Sequence, residues 1–295
     1  MTGIIDSHQH VWNLERAEYA WLTPAAGVLH RTIEMDEVLP EFAAAGVTGT
    51  VLVQSADNDD DTDHMFEVAA RFDATDAPVV RGVVGYVPLH EPARAAERLA
   101  ELQQRPRFCG VRNLIHDRPD PRWLRRPDVD ETLGLLAAEG VPFDVVGVLP
   151  EHLEAVLEIS ARHPELDIVI DHLNKPPIGA DDAFGTGAWQ PWTSLIAEVA
   201  ENPRVHAKLS GLYSGVGDPA SWTVDTVRPV FEHALAVFGA DRLMYGGDWP
   251  VSLIAGGYTR VWQGISALFG ELGDAERADI LSGTASRFYS LDDRA

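Results

Sequence analysis

The chain has 295 residues, with 23 basic against 46 acidic side chains and a formal net charge of -23. That charge repels phosphate backbones and anionic membranes, so nucleic acid and membrane are excluded as partners and a small molecule is expected. One cysteine, Cys109, allows no internal disulfide, and the length suits a single α/β-barrel domain over residues 1–295.

The opening "MTGIIDSHQHVW" has neither the basic region nor the long apolar segment of a signal peptide, and no later stretch has the apolar length to cross a bilayer. A soluble cytoplasmic protein is the expectation. Within that opening, "GIID" predicts a first strand, and "SHQH" follows at once. If the extension continues, side chains two apart leave one face, so His8 and His10 converge on one point, as a metal or a polarised substrate requires. Solvated loop histidines are the plain alternative. The stretch at 13–31, "NLERAEYAWLTPAAGVLHR", predicts a loop whose Trp and Tyr either wall a pocket or pack down.

Next, "EMDEVLPEFAAAGV" predicts a helix that buries Leu39 and Phe42 and ends at Gly46. Strands two to four are read in "TGTVLVQS", "VVRGVVGYVPL" and "FCGVRNLI", the last placing Cys109 as a packing residue. The helix in "DVDETLGLLAAEGVPF" carries Leu133, Leu136 and Ala137 as its apolar stripe and Gly140 as its cap, before a fifth strand in "VPFDVVGV". In "PEHLEAVLEISARHP", Leu153, Val156, Leu157 and Ser160 share one side, and Pro150 suits the first turn. "LDIVIDHL" follows as the sixth strand, then a loop at 175–192, rich in Gly, Pro and Asp, over one barrel end. "VHAKLSGL" and "RLMYGGDWPV" complete eight.

The repeated rhythm of strand, helix, glycine and strand implies parallel strands with crossover helices, and eight such units favour a closed (β/α)8 barrel over an open doubly wound sheet. No G-x-G-x-x-G follows the first strand and no G-x-x-x-x-G-K-[ST] occurs, so no nucleotide cofactor is expected. In a barrel the active site gathers at the carboxyl ends of the strands. His8 and His10 finish the first strand, Gln54 the second, and Arg112 and Asn113 lie late in the fourth. His172 ends the sixth, Lys208 lies on the seventh, and Asp248 ends the eighth. His116, just past the fourth strand, and Asn174, Lys175 and Tyr213 are rim candidates. Asp171 should face away from His172 and make a structural hydrogen bond. His64, His90, His152, His163 and His233 are read as surface residues.

On "DSHQH" at 6–10, "DHLNKP" at 171–176, "KLSGLYS" at 208–214 and "YGGDWPVSLIAGGY" at 245–258, the chain resembles the amidohydrolase superfamily. More narrowly, it is similar to the amidohydrolase-related group that holds L-fuconolactonase, L-rhamnono-lactonase and 4-sulfomuconolactonase-type enzymes. The resemblance covers almost the whole chain and implies a (β/α)8 barrel that hydrolyses a small carbonyl substrate, commonly a sugar-derived lactone. It implies His8, His10 and Asp248 as metal ligands, Asp248 also as the base that activates water, and His172 as a ligand or substrate contact. Two departures stand out. Arg112 occupies the place where many binuclear members have a metal-bridging lysine or glutamate, and "VPFDVVGV" holds no histidine, so a binuclear centre is not expected.

One divalent ion, Zn2+ or Mn2+, and a metal-independent route through cationic side chains both stay open. In either case Asp248, His172 and Arg112 are the expected catalytic residues, with Gln54, Asn113, His116, Lys208 and Tyr213 as substrate contacts. A decarboxylase of the same superfamily and a non-enzymatic binding barrel are the alternatives.

Overall fold

A computed structural model describes residues 3–72, 79–215 and 218–291. Eight parallel strands pair in chain order: β1 (Ile4–Gln9), β2 (Val47–Val53), β3 (Val79–Gly85), β4 (Phe108–Asn113), β5 (Phe143–Val145), β6 (Ile168–Ile170), β7 (Val205–Leu209) and β8 (Leu243–Tyr245). Between and after them run α1 (Leu39–Ala45), α2 (Asp59–Phe72), α3 (Pro92–Leu102), α4 (Pro127–Ala138), α5 (Pro150–Arg162), α6 (Trp189–Ala200), α7 (Val224–Phe238) and α8 (Tyr258–Phe269). Two short helices, α9 (Asp274–Ala278) and α10 (Thr284–Tyr289), complete the described chain. This is the (β/α)8 barrel. It closes where β8 returns to β1: the amide of Asp248 donates to the His8 carbonyl at 2.9 Å, and that of His10 to the Trp249 carbonyl at 2.8 Å.

Local chemistry sets the boundaries. Proline opens α3, α4 and α5, where its missing N–H costs no hydrogen bond. Gly46, at φ 80°, ends α1 in the left-handed conformation that a residue without Cβ adopts readily. The helix expected at 34–47 is divided: a 3-10 turn at Met35–Glu37 precedes α1, and Val38 is buried beside Phe42 while Leu39 is only half-buried. The loop expected at 175–192 ends early, because α6 starts at Trp189 and buries Trp189 and Trp192. Among the described residues no helix is long and apolar enough to cross a membrane.

The barrel interior is stratified. At its floor, Ala285, Phe288, Tyr289 and Leu291 pack with Ile5, Val51, Val84, Val169 and Met244 in one buried cluster. Cys109 lies there too, packed as expected. Gly82 permits the approach, since a Cβ there would sit 2.6 Å from the Cys109 sulfur and 3.0 Å from Leu291. Tyr289 is the centre of the plug, fully buried, with its hydroxyl donating to Asp144 Oδ2 at 2.8 Å. Apolar side chains therefore fill the floor, and the charged inward-facing side chains lie above it. Replacing Tyr289 by Ala removes both the ring and that hydrogen bond, and should cost about 3–5 kcal/mol of unfolding free energy by urea denaturation. A loss under about 1 kcal/mol would mean that the plug does not hold the barrel.

Candidate active site

Strand alternation aims most of the site. On β7, the even residues His206 and Lys208 point inward, and Ser210 continues the series; on β8, Met244 is followed by Gly246 and Asp248. His206 meets the plug at Phe288, with ring centroids 4.8 Å apart. Lys208 lies higher, and Ser210 reaches the rim to hydrogen-bond His172 Nδ1 at 2.8 Å. Gly246 keeps the column open, as a Cβ there would lie 2.6 Å from His8 Cβ.

Three residues reach the site by breaking alternation. In β1 the inward phase starts on Ile5, yet His8 and His10 face inward. The β1–β2 register shifts between Asp6 and Gln9. Asp6 Oδ1 accepts from the His8 amide at 3.1 Å, a local turn that inserts the extra residue, and from the Gly247 amide at 2.9 Å. At the end of β6, Val169 and Asp171 face inward, so His172 should face out. Instead His172 adopts φ 54°, ψ 27°, a left-handed conformation that turns its ring back over the barrel. Asp171 is therefore inside with it, not on the opposite face as expected.

Beneath the rim lies a dry ionic network. Lys208 Nζ contacts Asp144 Oδ2 at 2.6 Å, Asp171 Oδ1 at 3.0 Å and His8 Nδ1 at 3.1 Å, and all four side chains are fully buried. Arg112 donates to Asp171 Oδ2 at 2.9 Å and also to the Gln54 carbonyl. Burial pushes the Asp144 carboxyl up to about 6 against the pull of Lys208. Burial acts likewise on Asp171, but Lys208, His8 and Arg112 outweigh it and hold that carboxyl well below the usual range. Burial holds the His8 imidazole well down despite Asp171 beside it.

Asp248 stands over this network at φ 53°, strained for a residue with a side chain. Its Oδ1 is 3.6 Å from His10 Nε2 and 3.9 Å from His8 Nε2, and Oδ2 accepts from the Tyr213 hydroxyl at 2.9 Å. Burial raises the Asp248 carboxyl, yet His172, His10 and His8 more than offset that and keep it well below the carboxylate range. Burial lowers His172 to about 4. His116 falls to about 3, first through burial and then through Lys175 and Arg112.

A cavity of about 200 Å3 opens above, with His10, Arg112, His116, Asp117, His172, Lys175 and Asp248 as its ionisable wall and Trp21, Leu114, Val146 and Val251 among its apolar one. Trp21 is held by its indole N–H on the Ser55 carbonyl, so one aromatic of the 13–31 loop walls the pocket. Four expected substrate contacts lie elsewhere. Gln54 is buried against Asp57 and the Arg112 carbonyl, and Asn113 donates to the Val87 carbonyl. Lys208 belongs to the network underneath, and Tyr213 stands behind Asp248. Depth along a strand, which periodicity does not report, separates these four from the wall. Two expected surface histidines are also buried: His64, and His152, whose Nδ1 accepts the Val148 and Leu149 amides at the start of α5.

Three donors could hold one divalent ion. His8 Nε2 and His10 Nε2 are 3.1 Å apart, which with the two distances to Asp248 makes a triangle close to the ligand spacing of about 3.3 Å around a tetrahedral zinc. His172 is also within reach, since ligand atoms of His8, His172 and Asp248 fit within 4.8 Å of one another. His10 Nδ1 is 2.7 Å from the Val53 carbonyl, which only accepts, so its proton is on Nδ1 and Nε2 presents a lone pair. Loading then requires His8 to carry its proton on Nδ1, toward Asp171 Oδ1 at 3.3 Å. The donor set fits the ion on both counts.

A family model described as amidohydrolase matches residues 5–291. The chain is 34% identical to the L-fucono-1,5-lactonase of Burkholderia ambifaria, over 99% of this chain and 97% of that protein. A crystal structure of an amidohydrolase from Burkholderia multivorans with bound zinc superposes with a TM-score of 0.87 at 31% identity, covering 98% of this chain and 100% of that one. The 2,6-dihydroxybenzoate decarboxylase from Rhizobium is similar in fold alone, at 16% identity and a TM-score of 0.60, over 99% of this chain and 100% of that one.

The depressed imidazoles have a measurable sign. Between an ordinary histidine value near 6.5 and the folded value near 4, the unfolded chain binds a proton at His172 that the fold refuses. That residue therefore withdraws stability as pH falls through this window. NMR titration of the ring protons should show His172 still neutral at pH 5.5; a midpoint near 6.5 would show that the ring is not buried as described.

Proposed function

The chain belongs to the amidohydrolase family, and we propose that it is a hydrolase that opens a small sugar-derived lactone with water activated by Asp248. The observation that carries this reading is the carboxylate itself, buried beside His8 and His10, braced by the Tyr213 hydroxyl and facing a cavity with room for one small ring. The lactonase name of its Burkholderia ambifaria relative supports the reaction class, and the donor-rich wall suits a polyhydroxylated ring, an aldonolactone.

Asp248 Oδ1 takes a proton from water as the water oxygen bonds to the ring carbonyl carbon. Charge that develops on the carbonyl oxygen is met by Arg112 and His172, which line the cavity. The C–O bond of the ring then breaks, and Asp248 returns its proton to the departing ring oxygen. The product is a hydroxy acid, which ionises and releases one proton. An alkoxide from an ester leaves more readily than an amide nitrogen, so one carboxylate serves both transfers. Tyr213 is a positioning residue, since its hydroxyl fixes Oδ2 and turns Oδ1 toward the cavity.

We assign His8, His10 and Asp248 as the residues that would hold Zn2+ or Mn2+, with Arg112, 3.4 Å from His8 Nε2, opposing the ion's charge. When bound, such an ion supplies Lewis-acid polarisation of the carbonyl. The decarboxylase alternative has only a shared fold behind it, and a binding barrel needs no ionised base at its cavity. We place the enzyme in carbohydrate breakdown and in the cytoplasm, acting on a small molecule without nucleic-acid or membrane partners, as its charge suggests.

Opening an aldonolactone acidifies a weakly buffered solution, which a pH indicator reads. Asp248→Asn should keep its fold by circular dichroism and lose at least ~10²-fold in kcat; near-normal turnover would remove Asp248 from the mechanism. Stripping the protein with a chelator and weighing metal content against rate tests the ion. Activity lost on stripping and restored by Zn2+ or Mn2+ would make it part of the reaction, and full activity without metal would leave Arg112 and the histidines as the electrophiles.

A further inference from the structure

Four consecutive residues past β6 have positive φ: His172 at 54°, Leu173 at 51°, Asn174 at 59° and Lys175 at 45°. Residues with a Cβ enter this region singly, not in runs, so such a turn persists only where its surroundings impose it. Here they do. Leu173 is fully buried and its carbonyl accepts from the Trp192 indole at 2.7 Å. Asn174 Nδ2 donates to the Leu149 carbonyl at 3.0 Å, in a space that exists because Gly147 lacks a Cβ; one there would lie 2.0 Å from Asn174 Oδ1. The turn delivers both of its ends, His172 and Lys175, to one cavity.

Lys175 differs from the other cations of that wall. Arg112 is committed to Asp171, whereas among the described residues the Lys175 ammonium has no ion pair and no hydrogen bond. Beside it on the wall, Arg112 Nε is buried without an acceptor. The wall therefore asks for oxygen atoms from a ligand. Lys175 also borders a second cavity of about 130 Å3, lined by Val148, Leu153, Pro177 and Trp192, and so stands between the polar cavity and an apolar one.

We infer that Lys175 is the specificity-determining residue of the lactone site. Its ammonium takes an oxygen substituent of the ring, a hydroxyl or a carboxylate, and its stem closes the site against apolar substituents. This rests on the lactonase reading.

The test compares wild type, K175M and K175A on three lactones of one ring size: a neutral aldonolactone, a carboxylate-bearing sugar lactone and an alkyl-substituted lactone. K175M keeps the stem and loses the charge, so KM for an oxygenated ring should rise about tenfold or more with kcat changed far less. The larger rise identifies the group read, hydroxyl or carboxylate. K175A opens the partition, so its kcat/KM for the alkyl lactone relative to the aldonolactone should rise about tenfold or more, beyond the change in K175M. Matching thermal melting for all three proteins shows that the turn is intact, and K175G, relieved of the positive φ, replaces K175A if it is not. Unchanged KM in K175M, or the same selectivity in K175A as in K175M, overturns the inference alone. A wild-type protein that opens none of the three overturns the lactonase reading, and this inference with it.

Discussion

Everything at the rim depends on one buried ammonium. Lys208 touches two carboxylates and the Nδ1 of His8 at 2.6–3.1 Å, with no solvent to share the charge. Removing such a group from water costs several kcal/mol, and the cost is offset only if every donor finds an acceptor and the surrounding charges balance. Asp144 and Asp171 provide the balance for Lys208, and Arg112 adds a second cation against Asp171. His8 is the third contact, through Nδ1. It is thereby held from below, upright and uncharged, so that its other nitrogen faces His10 and Asp248. Removing either carboxylate would leave a cation stranded, a change of about 3–5 kcal/mol.

Strain is concentrated where that rigid layer ends. Asp248 and the four residues from His172 to Lys175 hold left-handed backbone, at about 1–2 kcal/mol for each residue. Around them are full burial at Leu173 and Trp249, the Trp192 indole on the Leu173 carbonyl and the Asp6 carboxylate on the Gly247 amide. Extended strands ending at this rim would have pointed His172 away from the barrel. The strain is what brings a β6 imidazole and a β8 carboxylate over the same cavity, and it stays in place because apolar packing and buried hydrogen bonds overdetermine it.

The eight-strand rhythm was legible because each strand is a short β-branched run and each helix carries proline or glycine at an end. That His8 and His10 share a face was legible from period-two spacing, though the extra residue in β1 turns that face inward, and Asp248 was legible from strand phase and its place at a strand end. Depth was not. Lys208 and Asp248 both lie on inward phases of neighbouring strands, and nothing in the spacing tells that one sits in the dry middle and the other at the wet rim. Asp144 carries a signal of its own: a carboxylate inside "VPFDVVGV" must be paired if the strand is buried, and "HAKL" offers the lysine. The left-handed turn at 172–175 had no such signal, since none of its four residues is glycine. Tertiary contacts impose it.

The His8–His10 pair shows how little separates two chemistries in this frame. His10 is fixed by the Val53 carbonyl with its Nε2 as a lone pair. If Lys208 donates to His8 Nδ1, the His8 proton lies on Nε2 and fills the 3.1 Å gap as a hydrogen bond. If His8 instead donates from Nδ1 to Asp171, the gap holds two lone pairs, which only a cation can reconcile. A proton and a metal thus compete for one place, and the choice is made beneath it, by whether Lys208 or Asp171 is the partner of Nδ1. Arg112, 3.4 Å from His8 Nε2, weighs against a second cation there. The ionic layer therefore does more than orient His8: it sets whether the gap between His8 and His10 is filled by a hydrogen bond or is open to a cation.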